Sequence, residues 1–156
     1  MAGLPDAETG RFQRKLDWAA QLHEIGSRIS HSDYHKHGAY ILDNIDAPGF
    51  AQPELHRLSL LVLGHRGKLR KLDVDFEDRV FVQQLLCLRL AVIFCHARRD
   101  PELAAIELNA NAVHERLFVL NYPKGWATRF PQSAWLLQEE VVAWQKTPWT
   151  FKVQAS

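Results

Sequence analysis

Between Phe76 and Arg99 the chain carries its longest strongly apolar stretch, and its length fits a buried helix better than a strand. A helix of this kind belongs at the centre of a core. Arg89 interrupts the stretch, so no apolar run approaches the roughly 18 to 20 residues of a membrane span. Asp100 and Pro101 end it, and the texture of the sequence then changes. Ile106 and Leu108 alternate with Glu107 and Asn109, and Leu117 to Tyr122 is rich in β formers, which predicts two strands. Pro123, Lys124 and Gly125 make a turn. Pro131 to Lys146 has a helical apolar face of Leu136, Leu137, Val141 and Trp144, and Trp149 to Val153 alternates again. The tail is therefore expected to be ββαβ.

Upstream of the central stretch the apolar spacing is helical throughout. Met1 to Gly10, with Pro5 and two glycines and no apolar face, is expected to be a leader or residual linker. Phe12, Leu16, Ala19, Ala20 and Leu22 mark a first helix from Arg11, with Gly26 as its stop. His35 to Ile45 gives a short second helix, broken by Asp46, Ala47, Pro48 and Gly49. Pro53 suits the first turn of a third helix, whose inward face is Leu55, Leu58, Leu61, Val62 and Leu63. The fold class is thus mostly α, a helical domain over 11–102 followed by a small α+β subdomain over 103–156.

Composition excludes several function classes. With 47% hydrophobic and 24% charged residues the 156-residue chain is an ordinary folded protein. Its formal net charge of +1 means that attraction for a polyanion must come from local clusters. Nucleic acid is disfavoured as a partner, because the basic stretches lack interleaved aromatics for base stacking. Cys87 and Cys95, eight apart on one helix, cannot pair with each other and are expected to be buried small hydrophobes. Unpaired thiols and the lack of an apolar signal core in Met1 to Lys15 point to the cytoplasm. The five tryptophans are expected in the core or in a dimer interface.

Two clusters could hold an anion. His31, His35, Lys36 and His37 surround an expected helix start, where free backbone N–H groups and the helix dipole favour phosphate. His65, Arg66, Lys68, Arg70 and Lys71, interrupted only by Gly67 and Leu69, form a second group whose long side chains can converge on successive phosphates. A basic run is also commonly a solvated face, and histidines near pKa 6.5 would make any anion affinity depend on pH.

The run Trp18-Ala19-Ala20-Gln21-Leu22-His23-Glu24-Ile25-Gly26, followed by His31-Ser32-Asp33-Tyr34-His35-Lys36-His37-Gly38-Ala39-Tyr40-Ile41-Leu42, resembles the C-terminal half of Ppx/GppA phosphatases. Pro48-Gly49-Phe50, Gly64-His65-Arg66-Gly67-Lys68 and Leu88-Arg89-Leu90-Ala91 follow in that family's order and spacing, and Trp126 to Pro131 is also similar. The resemblance implies an HD-like helical domain, so that the expected architecture is an HD-domain-like bundle plus the small ββαβ subdomain. In that family, ATPase-fold domains that precede this half hydrolyse polyphosphate or guanosine pentaphosphate with Mg2+. The half resembled here helps to bind polyphosphate and to build a homodimer. This chain is expected to be that half alone, without cofactor of its own.

An active HD hydrolase would be the alternative, a metal-dependent phosphohydrolase acting on a nucleotide or alarmone. It needs a His-Asp pair and a later Asp to hold metal and activate water. Here the pair is His23-Glu24, and Val92 stands where the resemblance places the later Asp. An aliphatic side chain has no lone pair to offer, so the expected metal site is degenerate, and a backbone hydrogen bond is the simpler role for His23.

Overall fold

The computed structural model describes residues 6–98, 100–110 and 116–156, with the backbone alone for residues 6–8. The chain is mostly helical with one small three-stranded sheet, as the periodicities predict. It divides into two units, Met1–Gly67 with Leu72–Arg89, and Lys68–Lys71 with Leu90–Ser156. The division runs through the long apolar helix, ahead of residue 102, where the change of texture in sequence points.

In the first unit, α1 spans Asp6–Leu22, α2 Tyr34–Asn44, α3 Gln52–Gly64 and α4 Arg79–Cys95, the last of these reaching on into the second unit. Helix α1 starts five residues before the expected Arg11, so residues 6–10 are its first turns and not a linker, while residues 1–5 lie outside the described chain. Helix α3 begins as Pro53 dictates, with the Glu54 carboxylate accepting from the Ala51 N–H at 3.2 Å. Its expected inner face is core: Leu55, Leu58, Leu61 and Val62 are buried, as are Phe81, Val82, Leu85 and Leu86 of α4, and only Leu63 is partly exposed.

A polar clamp ties three of these helices. Gln84 of α4 donates to the Phe12 carbonyl at 2.8 Å and accepts from Arg57 Nε at 3.1 Å. The same guanidinium reaches Asp78 at 2.7 Å and lies against the Phe12 and Phe81 rings. Arg57 thus covers apolar surface with its stem and satisfies a carboxylate with its head.

In the second unit, β1 (Glu107–Ala110) pairs antiparallel with β2 (Leu117–Tyr122), and β2 pairs parallel with β3 (Thr150–Ala155). A parallel pair needs a crossover, which the short α5 (Trp126–Arg129) and α6 (Pro131–Trp144) supply. The expected ββαβ order is therefore present. Alternate residues Phe118, Leu120 and Phe151 turn inward against Leu137 and Trp144, and Trp149 stacks on Phe118 at 4.9 Å. Strand β1, at an edge of the sheet, differs from the alternation read in sequence: all four of its residues are exposed.

One side-chain expectation needs correction. Cys87 is half-buried, but Cys95 is exposed at the last turn of α4, so only the first is a packing thiol. Trp126, Trp144 and Trp149 are core residues, whereas Trp135 is 61% exposed on α6. Among the described residues no helix is long and apolar enough to cross a membrane.

Candidate functional site

The site residues of the first unit are brought together by two glycines. Helix α1 ends at Leu22, and a 3-10 turn at Ile25–Arg28 carries Gly26 against the first turn of α2. A Cβ on Gly26 would lie 1.9 Å from the Tyr34 carbonyl oxygen and 2.4 Å from the Gly38 nitrogen, so no other residue fits. Gly26 is therefore a close-packing residue rather than the helix stop that its position in sequence suggests. Gly38 in turn lets α2 press on α3, where a Cβ would meet Val62 Cγ1 at 2.9 Å. The end of α1, the start of α2 and the end of α3 thereby converge, and with them His23, His31, Tyr34, His35, His65 and Arg66.

His65 is the inner member. It is only 2% exposed, and its Nδ1 donates to the Val62 carbonyl at 2.5 Å. A carbonyl can only accept, so the proton sits on Nδ1 and the bare Nε2 accepts from the Tyr34 hydroxyl at 3.3 Å. Burial, followed by the neighbouring charges of His23, His35 and Arg66, lowers its pKa from the ordinary 6.5 to about 4, against the opposing pull of the Val62 carbonyl. His65, which the sequence offers as an anion contact, is thus buried and held neutral. Its ring is 5.1 Å from that of His23 and 5.6 Å from that of Tyr34.

Tyr34 is the residue that the spacing of basic side chains does not reveal. Its ring carries the Arg66 guanidinium 4.8 Å above its centroid, with the His31 and His35 rings each 6.2 Å away. Arg66 is exposed, and among the described residues no carboxylate pairs with it. A guanidinium held over an aromatic face and without a carboxylate partner has N–H groups to offer an oxyanion. His35 is half-buried, with its Nδ1 enclosed and without a partner. Burial first, then the Arg66 charge, lowers its pKa, so it too is held neutral.

Asp33 precedes α2 and supplies its own negative charge there, and Lys36 donates to that carboxylate at 2.9 Å. This hydrogen bond, then the Lys36 charge, holds the Asp33 carboxyl below its ordinary value. An incoming anion therefore meets a carboxylate at the helix end before it meets free amides. His31 is exposed and His37 half-buried against Gly26.

The second basic group is split. Lys68, Arg70 and Lys71 belong to the second unit, where they are exposed around the 3-10 turn Leu69–Lys71 while Leu69 is buried in that unit's core. Of the run that reads as one loop in sequence, Arg66 thus belongs to the first unit and the three later cations to the second.

His23 Nδ1 donates to the Ala20 carbonyl at 2.6 Å, which leaves one ring nitrogen, 3.9 Å from the Glu24 carboxylate. Among the described residues no three His, Cys, Asp or Glu side chains converge as a metal-holding group. His23 has the backbone partner expected of a structural histidine at a helix end.

These features define a class: a helical unit that offers an exposed arginine over a tyrosine ring beside the buried His65 and half-buried His35, joined in sequence to a ββαβ unit. The family model for Ppx/GppA phosphatase, domain III, matches residues 4–141. The chain therefore belongs to the Ppx/GppA phosphatase family, in the region of its domain III. It is 38% identical over 137 residues, or 86% of its length, to the guanosine-5'-triphosphate,3'-diphosphate pyrophosphatase of Pseudoalteromonas translucida (strain TAC 125). The match spans 27% of that relative.

Proposed function

We propose that this chain is a substrate-binding, non-catalytic region of a Ppx/GppA-type exopolyphosphatase that holds a chain of phosphoanhydrides, polyphosphate or guanosine pentaphosphate. The observation that carries the reading is Arg66, exposed, free of any described carboxylate and laid on Tyr34. His31, His35, Lys36 and His37 are its companions in the first unit, with Lys68, Arg70 and Lys71 as a separate contact in the second. No cofactor belongs to this region in the proposed reading, and the Mg2+ used in hydrolysis would serve the family's ATPase-fold domains.

The proposed setting is cytoplasmic, in keeping with two free cysteines. Homodimerisation is proposed with Trp135 and Val142, both exposed on α6, as the apolar contact. Calorimetry of the chain with long-chain polyphosphate, and in parallel with guanosine pentaphosphate, tests the binding. Salt-sensitive affinity that falls in Arg66→Ala supports it. Affinity for neither anion, or affinity untouched by Arg66→Ala together with Lys68→Ala, removes it.

A further inference from the structure

Arg89 is 6% exposed within the most apolar helix of the chain. A buried guanidinium costs several kcal/mol unless its N–H groups are satisfied, so its contacts are obligatory and informative. Its Nη1 donates to the Gly64 carbonyl at 2.7 Å and lies 3.4 Å from the Gly67 carbonyl. Gly64 is the last residue of α3, whose terminal carbonyls lack helical partners and favour a cation. Arg89 therefore grips both ends of the four-residue segment Gly64-His65-Arg66-Gly67.

The other members of that segment are fixed as well. A Cβ on Gly64 would lie 2.7 Å from Leu85 Cδ1 and 2.9 Å from Leu72 Cδ1, so the backbone is in close contact with apolar side chains. His65 is held by Val62 and Tyr34. Gly67 has φ +82, a conformation that L side chains rarely adopt. Arg66 is the one side chain of the segment left exposed.

We infer that Arg89 is a positioning residue, which through the Gly64 and Gly67 carbonyls sets the angle at which Arg66 meets a phosphate oxygen. This rests on the anion-binding reading above. Both contacts come from Nη1, and a lysine in the same place carries the charge but ends one bond short of that atom, so its ammonium cannot meet the two carbonyls with the same geometry. Arg66 then keeps its place on Tyr34 but loses the fixed backbone beneath it.

The test is a double-mutant cycle in polyphosphate affinity, measured by calorimetry on the full chain, with thermal unfolding followed alongside. Arg89→Lys is expected to weaken the wild type by roughly tenfold and the Arg66→Ala variant by less than about twofold. Gly67→Ala, which strains the same segment while leaving Arg89 in place, is expected to show the same dependence on Arg66. Equal losses in both backgrounds, or a folded Arg89→Lys that binds as the wild type does, overturn the positioning role. A wild type without affinity for polyphosphate overturns the anion reading itself, and a wild type that binds while the cycle fails overturns only the role of Arg89.

Discussion

The Tyr34 hydroxyl donates to Nε2 of His65 at 3.3 Å, across 31 residues of sequence, and so fixes the imidazole as a neutral acceptor beneath the ring that carries Arg66. Tyr34→Phe keeps the ring and removes only the donor. A buried acceptor left without its partner costs about 1–2 kcal/mol, so the denaturation midpoint should fall while polyphosphate affinity stays within about twofold. Tyr34→Ala removes the platform too, and should weaken affinity as well. Chemical denaturation and calorimetry on the same two variants separate these effects.

The burial of His65 gives the protein an acid limit. Its folded pKa, about 4, lies below the 6.5 of an unfolded histidine, so between those values the unfolded chain binds more protons. Stability is then full above pH 6.5 and falls as pH drops toward 4, by up to about 3 kcal/mol from this residue. Histidine C2–H resonances followed by NMR should show one imidazole that titrates near pH 4. An unfolding free energy flat across that window, with every imidazole titrating near 6.5, would contradict the buried neutral state.

Gly26→Ala should be among the most damaging small substitutions. The added carbon would meet two backbone atoms, the Tyr34 oxygen and the Gly38 nitrogen, neither of which can rotate aside. Helix α2 must move, and a loss of about 3 kcal/mol or more is expected in urea denaturation, with reduced anion affinity because Tyr34 moves with it. A variant of wild-type stability would show that the contact between the turn and α2 is not as close as described.

The contrast between elements that sequence reveals and those it hides has a physical basis. Helix α3 and strands β2 and β3 are legible because Pro53 and the periods 3.6 and 2 act locally. The start of α1 is hidden by Gly10, since a glycine in a helical turn costs only about 1 kcal/mol and the remaining turns of a long helix outweigh it. Histidine spacing marks the site region, yet His65 and Arg66 look alike in sequence. Which of them turns inward depends on the end of α3, on Tyr34 and on Arg89, all contacts between distant residues. Likewise Gly26 reads as a helix stop because a close approach between elements leaves no periodic trace.

His35 links the site to pH through Arg66. The imidazole is shielded from solvent on one side, with an enclosed and unpartnered Nδ1, and it faces Arg66 from the end of α3, Asp33, Lys36 and His37 from its own helix, and the neutral His65. Burial and the Arg66 charge push its pKa down, whereas Asp33 pulls it up less strongly. Arg66→Gln removes the repulsion, so His35 should titrate at higher pH in that variant, as read from its C2–H resonance. A polyanion bound at Arg66 should act in the same direction by offsetting the guanidinium charge, and binding near neutral pH should take up a fraction of a proton. Calorimetry in two buffers of different ionisation enthalpy measures that uptake. Affinity should accordingly rise as pH falls through the range where the bound form protonates, and His35→Gln should flatten the slope. A His35 resonance that does not respond to Arg66→Gln would separate the two residues and remove the coupling.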